Sequence, residues 1–345
     1  MKRVWVIDEG SPGHLAQSKA LAIALQEAVS QIDVIELGAC RRFSGLQRNL
    51  IRRLMGPAGR SAPAFIEKLI LSEFELPVDG DSLPDIIISS GGKSAFVACV
   101  LSKRYRAPNI FVGERKPYPS EWFDTVLTPS PLETGVNDIA IDLIPTPVTP
   151  EKVKQAAAAL DLGGGRLWAM VIGGSSRSHP FARKDWEALA SGMNALAQRN
   201  GIRWLLTTSR RTGSVAESIL KTQINPAALA RSVWWSEKPE KLMLPILGHS
   251  ECIFVTQDSV TMVSESIASG QPTFALAPEK VKFPASSFMP AYYQRLESSG
   301  LMQRVPLAKL SDFNGGRIKP PGSIHRQKKL SDLAHFLVER YARSD

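Results

Sequence analysis

The sequence predicts an α/β protein of two lobes, each built on a mainly parallel sheet, and three observations carry that reading. At 345 residues the chain is too long for one ordinary core and suits two domains of about 100–200 residues each. A unit of apolar strand, glycine turn and helix recurs three times, which is the pattern of parallel sheets. Between the second and third copies lies LIPTPVTPEK (143–152), whose three prolines stiffen an extended connector. The expected division is 1–147, 148–322 and a terminal helical segment 323–345 that packs back on the first lobe.

The first unit starts at VWVI (4–7), an apolar run suited to a strand buried on both faces. DEGSPGH follows, and then Leu15, Leu21, Ala22 and Leu25 recur at helical spacing. The second unit is DIIISSGGKSAFVACVLSKRYRAPNIFV (85–112), with Gly91-Gly92 at the turn and Pro108 leading the next strand. The third is LWAMVIGGSSRSHPFARKDWEALASGMNALAQ (167–198), turning at Gly173-Gly174. Beyond it the pattern predicts strands at 202–208, 232–235, 252–257 and 272–276, a basic turn at 209–213 and a helix over 259–269. The last helix, 324–344, gathers Leu330, Leu333, Ala334, Leu337 and Tyr341 on one face.

Composition excludes several classes. Hydrophobic content of 43% and charged content of 22% are those of a water-folded globular protein, and no apolar run of about 18 residues exists to cross a bilayer. Asp8 and Glu9 interrupt the first apolar run after four residues, so it reads as a strand rather than a signal peptide, and the expected compartment is the cytoplasm. Cys40, Cys99 and Cys252 fit neither a disulfide framework nor zinc-ligand spacing. A net charge of +9 favours anionic partners. Residues 41–60 hold six arginines and no acid, with Phe43, Leu46, Leu50, Ile51 and Leu54 at helical spacing beside Arg41, Arg48, Arg52 and Arg53. Two readings stand at this point: a helix lying peripherally on an anionic membrane surface, or a core-facing helix with a basic outer side. Nucleic acid is not an expected partner, because no aromatic platform interleaves the basic run.

Each glycine turn lets backbone approach a ligand, with helix N–H groups aimed at the same place. Two familiar nucleotide motifs are absent. GGKS (91–94) lacks the glycine a Walker A loop needs five residues before Gly92, where Ile87 stands, and no G-x-G-x-x-G follows a strand, so NAD is not expected.

The run TQDSVTMVSESIASGQPTFAL (256–276) resembles the donor-nucleotide segment of GT-B glycosyltransferases, especially the enzyme that adds N-acetylglucosamine during lipid II synthesis. DEGSPGH (8–14), SSGGKSA (89–95) and VIGGSSRS (171–178) resemble glycine-rich loops of that family in the same order. A closer resemblance, carried by SPGHLAQ, IGGSSRSHPF, LLTTSRRTG and TQDSVTMVSE, is to the family named for elongated mitochondria. Its plant members act in mitochondrial fission and its bacterial members are described as glycosyltransferases. The resemblance implies two Rossmann-like lobes facing across a cleft, the first holding the acceptor near Gly10, Gly13, Gly91 and Gly92, the second the nucleotide sugar.

It further implies that Glu265 receives the ribose hydroxyls, which suits an acceptor-only carboxylate; a solvated helix residue is the plain alternative. In such a transfer an acceptor hydroxyl attacks the anomeric carbon, a base takes its proton and positive groups stabilise the departing diphosphate. The candidate base is His14, whose ordinary pKa near 6.5 fits the task, with Asp8, Glu9 and Glu114 as rivals. Gly173, Gly174, Ser175 and Ser176 form a candidate anion nest, and Arg210 and Arg211 could add charge-assisted bonds. Gln257, Asp258, Ser259 and Thr261 open the glutamate helix, with Asp258 or Ser259 reading as its N-cap, the role favoured for Asp258. His179 and His249 read as polar loop residues, and at least one indole of Trp234-Trp235 as core. No metal spacing appears and no cofactor is implied; the nucleotide sugar is a co-substrate and the acceptor is open. Two other functions share the fold: a non-catalytic adaptor and a sugar-nucleotide 2-epimerase.

Overall fold

In the computed structural model the described residues are 3–38, 44–55, 63–72, 83–115, 117–130, 135–162, 164–285, 287–314 and 323–341. They form two compact units, Met1–Pro147 with Arg326–Asp345, and Val148–His325.

Unit 1 runs β1 (Arg3–Asp8), α1 (Pro12–Ala28), β2 (Asp33–Gly38), α2 (Gly45–Leu54), α3 (Ala64–Leu71), β3 (Ile86–Ser89), α4 (Ala95–Tyr105), β4 (Asn109–Val112), β5 (Thr125–Thr128) and β6 (Asp138–Ala140). All six strands are parallel, in the order β2-β1-β3-β4-β5-β6. Side chains alternate across such a sheet. Trp5, Ile7 and Ile87 therefore face one way, into a core closed by α2, α3 and α4. Val4, Val6, Ile86 and Ile88 face the other, against Leu21 and Leu25 of α1. The same second core takes Ala334 and Leu337 from α11 (Ser323–Tyr341), and the Tyr341 hydroxyl reaches Thr125 Oγ1 (2.5 Å) and donates to Asp124 O (3.0 Å). The last helix thus returns to the first unit.

Unit 2 runs α5 (Pro150–Ala159), β7 (Leu167–Val171), α6 (Arg183–Asn200), β8 (Arg203–Thr207), α7 (Gly213–Gln223), β9 (Leu229–Val233), α8 (Met243–His249), β10 (Ile253–Thr256), α9 (Val260–Ala268), β11 (Thr273–Ala277), α10 (Met289–Ser298) and β12 (Gln303–Pro306). Its parallel sheet has the order β12-β11-β10-β7-β8-β9. Counted from β7, this is the 3-2-1-4-5-6 arrangement of a doubly wound nucleotide-binding sheet. Its core carries the heavy residues: Trp168, Trp204, Phe254 and Phe274 stack edge and face, with Phe254 and Phe274 ring centres 4.6 Å apart. Trp204 also satisfies its indole N–H on Met193 O (2.9 Å).

Two expectations need correction. The strand expected at 232–235 is β9, ending at Val233: Trp235 N donates to Thr208 Oγ1 (2.8 Å), which bends the chain off the ladder. Trp234 packs against the core and Trp235 is 43% exposed. The helix after Gly173-Gly174 begins only at Arg183, because the intervening loop makes its own bonds. The basic stretch is divided: residues 41–43 and 56–60 lie outside the described residues, and in α2 only Ile51 is fully buried and Leu54 partly, while Leu46 and Leu50 are exposed.

Candidate functional site

In an open α/β sheet, ligands bind beyond the strand C-termini where the strand order reverses. In unit 1 that point lies between β1 and β3, so the loops concerned are 9–11 and 90–94. Gly10 takes a left-handed φ of 76°, and its N–H donates to Asp8 Oδ1 (2.7 Å), fixing the turn. Gly13 follows in the first turn of α1. Glu9, one of the rival bases, has a buried carboxylate. One oxygen meets His14 Nδ1 at 2.5 Å; the other accepts from the N–H groups of Lys93 (2.7 Å) and Ser94 (3.1 Å), at the start of α4. Burial works to raise its pKa, but the bond and charge of His14 and these two N–H donors outweigh it and hold the carboxyl below its ordinary value. An ionised carboxylate can only accept, so Nδ1 carries the proton and Nε2 is the basic nitrogen of the imidazole. The His14 side chain is 42% exposed. Glu9 is therefore bonded on both carboxylate oxygens, to His14 on one and to two backbone N–H groups on the other.

Gly91 explains itself in the same geometry. Its φ is 91°, and a Cβ there would fall on His14 Nδ1 and Glu9 Oε1. Gly92 is held through its carbonyl by the Tyr118 hydroxyl. Glu114 stands two residues past β4.

In unit 2 the order reverses between β7 and β10, and the loops there bring together Gly173, Arg211 and Asp258. Asp258 is buried, with a carboxylate oxygen 2.7 Å from the Arg211 guanidinium. Burial raises its pKa, and Arg211 works against that rise. Of the two N-cap candidates it is Ser259 that caps, its Oγ accepting from Met262 N (3.4 Å); Asp258 sits inward, in space that a Cβ on Gly173 would take. Gly174, with φ of 131°, leaves room for the backbone of Arg211 and Thr212. The Gly173 N–H donates to Thr256 Oγ1 (2.7 Å), and its carbonyl accepts from the hydroxyls of Thr212 (3.0 Å) and Ser209. Both glycines thus serve close packing of three loops.

The serines of the candidate nest are occupied within their loop. Ser175 Oγ accepts from Phe181 N (3.0 Å), Ser176 Oγ from His179 N (3.1 Å), and the Ser176 N–H donates to His179 O (3.0 Å). His179 is fully buried against Phe283; burial, helped by Arg211, lowers its pKa to about 4, so the ring is neutral. His249 ends α8 and meets Leu160 O (2.7 Å). Arg210 is exposed, Gln257 buried, and Thr261 half-buried in the first turn of α9.

Glu265 differs from every other acid at this end of the sheet. It is half-buried on α9, burial alone pushes its carboxyl up to about 7, and it has no ion pair or side-chain hydrogen bond among the described residues. A desolvated carboxylate without a partner is an acceptor waiting for donors. Two supporting residues were not singled out from sequence. Tyr293 donates its hydroxyl to Gln257 O (2.6 Å), and buried Glu217 accepts from Thr208 Oγ1 (2.5 Å) and from Ser236, anchoring the turn that carries Arg211. A buried acid amid the apolar residues of α7 was the available signal for Glu217. Among the described residues no group of three or more His, Cys, Asp or Glu side chains is arranged to hold a metal ion.

A family model described as Mitochondrial fission ELM1 matches residues 12–320. An uncharacterized protein of Rickettsia prowazekii (strain Madrid E) is 22% identical over 312 residues, which is 80% of this chain and 83% of the relative. Among solved structures, a UDP-GlcNAc 2-epimerase from Neisseria meningitidis bound to UDP-GlcNAc aligns over 100% of both chains at 14% identity and a TM-score of 0.59. S. aureus MnaA, solved with UDP, aligns over 97% of this chain and 91% of its own at 9% identity and a TM-score of 0.54. The spinosyn rhamnosyltransferase SpnG aligns over 100% of each chain at 13% identity and a TM-score of 0.51. The fold is the GT-B fold shared by glycosyltransferases and 2-epimerases.

Proposed function

The chain belongs to the Mitochondrial fission ELM1 family, and from that premise and its GT-B fold we propose that it is a glycosyltransferase that moves a sugar from a nucleotide sugar to an acceptor hydroxyl. The observation that carries the reading is Glu265, a partnerless, desolvated carboxylate one helix beyond the reversal point of a 3-2-1-4-5-6 sheet. Two adjacent ribose hydroxyls are the donors it lacks. Arg211, oriented by Asp258 at the same point, supplies positive charge toward a departing diphosphate. UDP is the first nucleotide to try, since two structural neighbours were solved with UDP or UDP-GlcNAc.

In unit 1, Nε2 of His14 takes the proton from the acceptor hydroxyl as its oxygen bonds to the anomeric carbon and the bond from that carbon to the diphosphate breaks. Glu9 holds the ring in the required tautomer and stabilises the imidazolium that forms. The co-substrate is the nucleotide sugar, and the reading uses no metal or cofactor.

Calorimetric titration of wild type and Glu265→Gln with UDP, GDP, CDP and ADP, and with their sugar conjugates, tests it. One nucleotide should bind, and the variant should lose about 1–3 kcal/mol, the scale of a lost charged hydrogen bond. His14→Ala should keep that affinity and lose turnover. No binding by folded wild type would overturn the reading in favour of an adaptor. Conversion of a nucleotide sugar to its 2-epimer without any acceptor would overturn it in favour of an epimerase.

A further inference from the structure

Helices α2 and α3 each send one face into the same core and leave the other in solvent. Ile51, Met55, Ile66 and Ile70 are buried together against α4 and the sheet. On the outer faces stand Leu46 (84% exposed) and Leu50 (58%) of α2, and Phe65 (66%) and Leu69 (43%) of α3. Each pair is four residues apart and so forms a strip along its helix. Arg48, Arg52, Arg53 and Lys68 lie on the same two helices, where Glu67 is the one acid. None of these four cations has an ion pair among the described residues, and Arg48 Nε is buried without a hydrogen-bond partner. Arginines in the last turn of a helix are favoured by its dipole, which accounts for some of the charge but for none of the exposed apolar side chains.

We infer that the outer face of α2 and α3 docks unit 1 on an anionic bilayer, with Leu46, Leu50, Phe65 and Leu69 entering the headgroup boundary and the arginines meeting lipid phosphates. The charge of α2 reaches the loop that borders the Glu9–His14 pair. Arg48 and Arg52 are near enough for their charge to act on Tyr118, whose hydroxyl holds Gly92, beside the Gly91 that Glu9 and His14 pack against. Unit 1 thus carries this face and the Glu9–His14 pair on the same domain. Resting on the transferase reading, the acceptor hydroxyl then belongs to an amphiphile held in the membrane, such as a glycolipid or a lipid-linked saccharide.

Vesicle flotation at low salt tests the docking, with phosphatidylcholine alone and with phosphatidylcholine containing phosphatidylglycerol. Wild type should float with the anionic vesicles alone and be released by high salt. Arg52→Gln with Arg53→Gln should weaken partitioning roughly 30-fold, on a scale of about 1 kcal/mol per basic residue. Leu46→Ser, Leu50→Ser, Phe65→Ser and Leu69→Ser together should abolish it, with thermal unfolding and UDP affinity unchanged in both variants. Wild type that stays with the unbound fraction while cooperatively folded would overturn the inference, as would variants that float like wild type. Titration with UDP reads the two proposals apart: flotation without UDP binding upholds docking and removes the transferase, whereas UDP binding without flotation overturns docking alone.

Discussion

Glu265 and Glu9 show how environment divides two carboxylates that look alike in a sequence. Glu9 is bonded on both oxygens and stays ionised; Glu265 is desolvated and bonded on neither, with a pKa near 7. The sign of the linkage follows. A folded-state pKa raised above the ordinary 4.5 gives stability that is full below about pH 4.5 and is lost as pH rises through about 7. Glu265→Gln should therefore stabilise the ligand-free chain at pH 8, by up to about 3 kcal/mol, and change it little at pH 4.5. Nucleotide binding should have the opposite trend, strengthening from pH 6 to 8 with release of a proton, because hydroxyl donors favour the charged form. Urea unfolding and calorimetry in two buffers of different ionisation enthalpy measure both; a pH-independent difference between wild type and variant would remove Glu265 as the titrating group.

At the scale of elements, the loops after β7, β8 and β10 are locked by side chains rather than by ladder bonds. Glu217 is the clearest lock: it ties Thr208 to Ser236 and so sets the turn 209–212. Glu217→Ala would take the acceptor from the Ser236 hydroxyl and leave the Thr208 hydroxyl only the longer bond to Val233 O (3.3 Å), and should cost about 2–3 kcal/mol in urea unfolding, with weaker nucleotide binding through a loosened Arg211. Glu217→Gln, which keeps an acceptor oxygen, should cost less; equal, near-zero costs for both variants would show that the turn is held elsewhere. Such locks also decide what could be read in advance. Strands such as Ile86–Ser89 and Ile253–Thr256 were legible because apolar runs need a sheet buried on both faces. Asp138–Ala140 was not, since it is fixed by the Arg115–Asp138 ion pair and by Ser120, contacts separated along the chain. The glycine turns were legible as close approaches, but not what approaches: Asp258 and the Arg211 backbone fill the space at Gly173 and Gly174. The Glu9–His14 pair lay in one short motif, yet the N–H groups of Lys93 and Ser94 that hold the Glu9 carboxylate come from more than 80 residues away.

At the scale of the molecule, each unit closes its own core, and unit 1 does so with a helix from the far end of the chain. Ala334 and Leu337 are fully buried against β1, β3 and α1, and Tyr341 is bonded to Thr125 and Asp124. Removing α11 would uncover that face of the sheet. Losing one buried leucine side chain alone costs about 2–5 kcal/mol, and Leu330 and Leu333 add partly buried area, against a whole-domain stability of about 5–15 kcal/mol. A chain ending at residue 322 should therefore lose the thermal transition of unit 1 or show it far below that of wild type. Unit 2, whose aromatic core has no α11 residue among the described residues, should keep its own transition. If unit 2 alone holds the nucleotide, UDP should still raise that surviving midpoint by mass action, and Glu265→Gln should reduce the rise. A truncated chain that melts in calorimetry as wild type does would show that α11 contributes little to unit 1. Loss of both transitions together would show that the two cores fold as one cooperative body.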